Sequence, residues 1–158
     1  MIREVLVHPH PLLTRRAGPV DPEAAAPVIR DLLDTMRSFG HCVGIAAPQI
    51  GGSVRVAVVD CTGHRKAPAA QGELILVNPV IVAASGAKVG REGCLSIPEL
   101  TGNVRRATNV TVEADGLRVD AEGFEARALQ HEIDHLDGLL FLDRVESLEA
   151  DVFQRRRR

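Results

Sequence analysis

The sequence predicts an α+β fold in which antiparallel, partly wrapped β-sheets surround a central helix that carries two histidines. β-Branched residues are concentrated at residues 54–60 and 73–82, as is typical of strands. Polar and apolar residues alternate on both sides of Asp115 and Gly116, a dipeptide typical of tight hairpin turns. Apolar residues between Phe124 and Leu136 instead follow the period of a helix.

Two further helices are predicted, one toward each end of the chain. The first begins after Asp21, where Pro22 suits a first helical turn and apolar residues form a stripe as far as Phe39. The second covers residues 145–153. The chain of 158 residues is long enough for one domain with a core and too short for two, so residues 1–158 are expected to form a single domain.

The composition argues against several classes of function. A net charge of −2 predicts no general attraction to DNA or to a membrane, and the absence of Trp and Tyr argues against stacking on bases. The N-terminal segment contains charges and prolines where a signal peptide needs an unbroken apolar run, and no apolar stretch approaches the ~20 residues of a membrane span. Three cysteines without framework spacing indicate a reducing compartment, the cytoplasm.

The segment LQHEIDHLDGLLF, residues 129–141, contains a candidate metal site. His131 and His135 are four residues apart, which on a helix places them on one face with Cβ atoms about 5–6 Å apart. Glu132 projects near that face, where it could reach a water on the metal. A catalytic zinc-type site usually has three protein ligands and one open position, so a third ligand is needed.

The usual continuations of this motif do not supply the third ligand. One class of metalloproteases has a third histidine where this chain has Phe141, and Glu146 and Glu149 follow too closely to act as a distant carboxylate ligand. Cys94 in REGCLSIPEL is the best candidate, because a thiolate and two imidazoles form a known catalytic set. The other candidates lie in segments without further features of a site: His8, His10, His41, His64 and Cys61.

A third stretch, GIAAPQIG at residues 44–51, places Gln49 between small residues. One interpretation is a tight turn before the strand that starts at Val54. The other is that the Gln49 side-chain amide donates a hydrogen bond to a developing oxyanion.

The segments GIAAPQIG, EGCLS and QHEIDHL resemble, in the same order, the three signature motifs of the peptide deformylase family, and the resemblance covers essentially the whole chain. It implies one divalent metal ion per chain, most often Fe²⁺ and replaceable by Ni²⁺, Co²⁺ or Zn²⁺. The metal ligands implied by the resemblance are Cys94, His131 and His135. The resemblance also implies that Glu132 is the general acid/base and that the Gln49 amide and the Leu95 backbone N–H form the oxyanion hole. The parts of the chain implied for the methionine pocket and peptide groove are Val43, Gly44, Glu92, Gly93 and the start of the helix that carries the histidines.

A protein with this resemblance would hydrolyse the formyl group from the N-terminal formylmethionine of nascent polypeptides and release formate, as one step of protein biosynthesis. The residues suit that reaction, since a bound cation lowers the pKa of water from ~15.7 toward 7 and Glu132 can relay the remaining proton to the leaving nitrogen. Two alternatives stay open. A metalloendopeptidase would leave EGCLS and Gln49 unexplained, and a noncatalytic metal-binding homologue would be expected to have lost Glu132 or Gln49.

Two positions near the motifs depart from the family pattern, and neither is an implied ligand. Cys42 replaces the usual glycine and Ile45 replaces the usual leucine.

The C-terminal arginines at 155–158 raise a separate possibility, since some bacterial deformylases dock on the ribosome through a C-terminal helix near the exit of the nascent chain. The alternative interpretation of such a charged run is a solvated chain end.

Overall fold

The computed structural model describes residues 1–155, and within them it has nine β-strands and two α-helices. The predicted α+β class is confirmed. The strands are β1 Gly44–Ala46, β2 Val56–Asp60, β3 Glu73–Val77, β4 Val80–Ser85, β5 Lys88–Cys94, β6 Ile97–Arg106, β7 Asn109–Ala114, β8 Leu117–Glu122 and β9 Val152–Gln154. The helices are α1 Ala26–Ser38 and α2 Gly123–Leu136.

The strands form three antiparallel sheets of three strands each, in the orders β1-β2-β3, β4-β7-β8 and β5-β6-β9. Helix α2 shares a core with strands of the first two sheets. Leu129 and Leu136 of α2 are fully buried in this core together with Val59 of β2 and Val112 of β7. Because each buried leucine contributes about 1.5–3 kcal/mol relative to an exposed one, this packing holds the helix firmly in place.

Two of the local predictions are confirmed with small changes. Strands β7 and β8 form the predicted hairpin, with Gly116 at φ 72° in the turn, a conformation that glycine adopts without strain. The N-terminal helix follows Asp21 as predicted, but its first turn, Pro22–Ala25, is a 3₁₀ helix. The Asp21 side chain caps that turn by accepting a hydrogen bond from the Glu23 N–H at 3.1 Å.

The predicted strand at residues 73–82 is wrong in one respect, because it is two strands that belong to different sheets. Asn78 interrupts the β-branched run with a left-handed φ of 52°. Both polar atoms of its side chain bond to the backbone of Val20. Oδ1 accepts a hydrogen bond from the Val20 N–H at 3.0 Å, and Nδ2 donates one to the Val20 carbonyl at 2.7 Å. Asparagine tolerates the left-handed conformation better than most residues, so the chain can turn here from β3 into β4.

The predicted helix at residues 145–153 is also wrong. The segment ends in strand β9, which pairs with β6 so that Thr101 lies opposite Phe153 and Gly102 opposite Val152. A short helix with few apolar contacts is marginal, whereas the exposed edge of β6 offers a full set of backbone hydrogen bonds. Ribosome docking through the arginine-rich tail stays a prediction, since residues 156–158 lie outside the described part of the chain.

Neither described helix combines the length and the apolar character that crossing a membrane would require.

Candidate active site

Helix α2 and strand β5 bring together the three side chains predicted to bind a metal. Each of Cys94, His131 and His135 offers one donor atom, and these three atoms lie within 4.8 Å of one another. The two imidazole rings stand 5.0 Å apart at 70°, and His135 Nε2 lies 3.4 Å from Cys94 Sγ. This spacing follows from the helical repeat, which puts residues four apart on the same face. The three donors form the Cys-His₂ set that can hold one divalent ion with a position left open.

Cys94 reaches this cluster because strand β5 ends in an irregular turn. The pairing of β5 with β6 shifts register between Gly93 and Cys94, so that Cys94 pairs with Ile97 across a two-residue turn. Burial alone raises the pKa of the Cys94 thiol, but the neighbouring imidazoles of His135 and His131 outweigh it and hold that pKa well below its ordinary value. The thiolate is the form of cysteine that binds metals, so this environment favours ligation.

The His131 ring is oriented by Glu92. His131 Nδ1 lies 2.9 Å from Glu92 Oε1, which leaves Nε2 of the ring for a metal ion. Glu92 also accepts two hydrogen bonds from Arg106, at 2.9 and 3.0 Å, and one from Arg127 at 2.7 Å. Both of its carboxylate oxygens are therefore in use. Glu92 borders the pocket as predicted, but its contacts are those of a residue that holds a histidine in place.

A buried ion cluster extends from Glu92 away from the pocket. Arg106 bridges Glu92 to Asp134 of α2, with an Nη1–Oδ2 distance of 2.5 Å, and all three side chains are at least nine-tenths buried. Arg144 adds a second pair to Asp134 at 2.9 Å. The role of Arg106 was missed in the sequence, because an alternating strand pattern does not show whether Arg105 or Arg106 points inward.

Glu132 lies beside the three candidate metal ligands and directly above Gly44 of β1. A Cβ atom added at Gly44 would lie 2.7 Å from Glu132 Oε2, so only glycine leaves room for the carboxylate. Burial raises the pKa of Glu132, against the opposing effect of His131 and His135. Within the described residues its Oε1 is buried without a hydrogen-bond partner. A carboxylate with a free oxygen and a raised pKa suits a general base.

The Gln49 side chain is held in one orientation. Its Oε1 accepts a hydrogen bond from the Ala46 N–H at 2.9 Å, so its NH₂ group points the other way, 3.1 Å from Ser96 Oγ and 3.5 Å from Cys94 Sγ. The tight turn predicted for GIAAPQIG is confirmed, since residues Ala47–Ile50 form a 3₁₀ turn. The Gln49 amide borders the pocket, and its role as an oxyanion donor stays a prediction. Leu95 lies in the turn after β5, and no hydrogen bond within residues 1–155 uses its N–H.

These groups border an open pocket of about 240 Å³. The predicted site residues in its wall are Val43, Gly44, Gln49, Glu92, Gly93, Cys94, Leu95, His131 and Glu132. His135 is 1% exposed and is not part of the wall. Cys42, which stands where the family usually has glycine, also borders the pocket. The start of the histidine-bearing helix, which the resemblance implied for the pocket, contributes Phe124, Arg127 and Ala128. The residues that sequence analysis did not place there are His41, Arg91 and Arg155.

Known proteins are similar to this chain in both sequence and fold. The sequence profile of the polypeptide deformylase family matches residues 2–151. Peptide deformylase 2 of Vibrio vulnificus is 40% identical over 157 residues, which cover 96% of this chain and 90% of the relative. The peptide deformylase of Thermomicrobium roseum is 46% identical over 154 residues, covering 92% and 86%. A crystal structure of a peptide deformylase from Legionella pneumophila is similar with a TM-score of 0.83 and 40% identity, covering 94% of this chain and 89% of that one. The chain therefore belongs to the polypeptide deformylase family of enzymes.

Proposed function

We propose that this enzyme hydrolyses the N-formyl group of N-formylmethionyl peptides, giving formate and a peptide with a free amino terminus. The observation that carries the proposal is the position of Glu132 and Gln49 around the Cys94, His131 and His135 cluster at one pocket. Hydrolysis of an amide needs an activated water, a group that moves protons and donors for an oxyanion. The pocket contains a candidate for each.

The donor set fits a divalent metal ion, which we propose is Fe²⁺ in the cell. Three soft or borderline donors converge, and the second nitrogen of His131 is already occupied by Glu92, as is usual for a metal-binding histidine. When bound there, a divalent metal supplies Lewis-acid activation of water and of a carbonyl group.

The side chains of the pocket carry the proton transfers. Glu132 takes a proton from the water that attacks the formyl carbon, and the carbonyl oxygen becomes an oxyanion. The Gln49 NH₂ group and the Leu95 N–H donate hydrogen bonds to that oxyanion. The C–N bond then breaks, and Glu132 delivers its proton to the leaving nitrogen, which gives a free amine and formic acid. The formic acid loses its proton to solvent and leaves as formate.

The apolar part of the pocket suits the methionine side chain. Val43, Phe124 and Ala128 line it, and Ala128 is one helical turn before Glu132 on α2. Gly44 and Gly93 also border the pocket, and their lack of a side chain leaves room for the Glu132 carboxylate and the Arg155 guanidinium respectively. Digestion of casein by the pure protein would instead support the metalloendopeptidase alternative.

The test is release of formate from formyl-Met-Ala-Ser by protein loaded with Fe²⁺ without oxygen. We expect turnover that disappears when a chelator removes the metal and that decays in air, since a Cys94 thiolate is open to oxidation. Protein loaded with Ni²⁺ or Co²⁺ is expected to be active and durable, and protein loaded with Zn²⁺ is expected to be weaker. Absence of formate with every metal would contradict the proposed function, and equal, air-stable activity with Zn²⁺ and Fe²⁺ would contradict the metal assignment.

Gln49→Leu is expected to lower kcat by about 10²–10³-fold, because it removes one oxyanion donor from a water-poor site. Metal content should stay unchanged, since Gln49 is outside the donor cluster. The matched control is Ser96→Ala, which removes the hydroxyl 3.1 Å from Gln49 Nε2 but leaves the amide in place. Steady-state kinetics on both variants decide the role, and equal losses in the two would show that Gln49 acts only through packing.

A further inference from the structure

The pocket entrance carries two arginines that the proposed reaction does not use. Arg91 and Arg155 both border the pocket, and both are exposed. Arg155 follows β9, and its N–H donates to the Glu99 carbonyl at 2.8 Å, which extends the pairing of β9 with β6 and fixes its backbone. Its position is therefore set by the sheet, although it lies near the end of the chain.

The guanidinium of Arg155 lies over Gly93, next to the candidate metal ligand Cys94. A Cβ atom added at Gly93 would lie 2.4 Å from Arg155 Nη2. The bare backbone of Gly93 thus leaves the space that the Arg155 guanidinium occupies.

Arg91 holds a second positive charge on the same face of the sheet, since it is two residues from Gly93 on β5. Its guanidinium stacks on the Phe153 ring at 3.9 Å and donates to Asn103 Oδ1 at 3.1 Å and to Thr101 Oγ1 at 3.3 Å. All of these partners are neutral. Among residues 1–155, no carboxylate pairs with Arg91 or Arg155, whereas the nearby Arg127 is already paired with Glu92.

We infer that Arg155, together with Arg91, selects formyl peptides with a carboxylate in the residues directly after formylmethionine. This inference rests on the proposed function, because it assumes that the formyl end lies at Glu132 and the rest of the peptide leaves past Gly93. Two cations that pair with no carboxylate of residues 1–155 attract a carboxylate of a bound peptide and repel a lysine at the same place. The carboxylate can be an acidic side chain or, in a very short peptide, the C-terminal group.

The experiment measures kcat/KM for amidated formyl-Met peptides that carry Glu or Gln at the second, third or fourth residue. Because exposed ion pairs contribute modestly, we expect the wild-type enzyme to prefer Glu over Gln by about two- to fivefold at one of these positions. The preference should shrink in high salt, since salt screens exposed charges. A formyl-Met-Ala-Ala pair with a free acid or an amide at its C-terminus separates the two sources of carboxylate.

Variants test the assignment to Arg155. Arg155→Gln should bring the Glu/Gln ratio close to one, and Arg155→Glu should lower the ratio below one, so that the Gln peptide is preferred. Arg30→Gln makes the same charge change in α1, outside the pocket wall, and should leave the wild-type ratio intact. The dissociation constants of the deformylated Glu and Gln peptides for the metal-loaded enzyme give a second readout that does not depend on turnover.

A Glu/Gln ratio of one at all three positions in the wild-type enzyme, or a ratio that Arg155→Glu leaves unchanged, would overturn the inference. Neither result would touch the proposed function, which fails only if no formyl peptide releases formate.

Discussion

Replacing Glu132 with glutamine is expected to lower kcat for formyl-peptide hydrolysis by about 10²–10⁴-fold, the range typical of a lost general acid/base. Glutamine has nearly the same shape, so it fits above Gly44 without filling new space. It cannot accept a proton from water or deliver one to the leaving nitrogen. The loss is therefore expected in kcat, with little change in the binding of deformylated product peptides.

Metal content separates this role from that of a ligand. Glu132→Gln should purify with about as much metal as the wild-type enzyme, because the donor cluster consists of Cys94, His131 and His135. His135→Ala removes one of the three donors and is expected to lose both metal and activity. Atomic emission on the two variants makes the comparison, and a Glu132→Gln protein that purified without metal would show that Glu132 is a ligand.

The features predicted correctly from the sequence are those with a local signal. The hairpin around Gly116 and the helix between Phe124 and Leu136 show their own periodicity, and local periodicity is the strongest secondary-structure signal. The cluster of candidate metal ligands depends on a different kind of signal. The i, i+4 spacing pointed to His131 and His135, but Cys94 could be joined to them only through its motif and the family resemblance, because the β5–β6 turn that carries it comes from distant pairing.

The features that were missed depend on partners far away in the chain. Asn78 breaks a run that reads as one strand, and its left-handed backbone is held by Val20, 58 residues away. Strand β9 forms because the edge of β6 is open to it, which nothing within residues 145–153 indicates. Arg155 reaches the pocket only through that pairing, so sequence analysis placed it in a tail.

The second large effect is expected on stability, from Arg106→Leu. Arg106 lies between the carboxylates of Glu92 and Asp134, and its side chain is 4% exposed. Removing one member of a buried ion cluster leaves uncompensated charge in the interior and typically costs about 3–5 kcal/mol. Arg127 still pairs with Glu92 and Arg144 still pairs with Asp134, so the expected loss lies near ~3 kcal/mol, the lower end of that range.

The same substitution is expected to weaken metal binding, because Glu92 holds the His131 ring. Loss of the residue that orients a metal-binding histidine typically lowers metal affinity by about 10–100-fold. Because Arg127 still holds Glu92 in place, Arg106→Leu is expected to lower metal affinity by about tenfold, the lower end of that range. Arg106→Lys should recover part of the stability only, since a single ammonium cannot make the forked contacts of a guanidinium to both carboxylates.

The neighbouring residue provides the control for this experiment. Arg105 also pairs with a carboxylate, Glu146 at 3.2 Å, but the two side chains are 56% and 70% exposed. Arg105→Leu is therefore expected to change the free energy of unfolding by less than about 1 kcal/mol. Urea denaturation of the metal-loaded proteins compares the two variants. Equal, small losses at both positions would mean that the buried cluster adds no more stability than a surface pair, and the orientation of His131 would then have to be maintained by the packing of α2 alone.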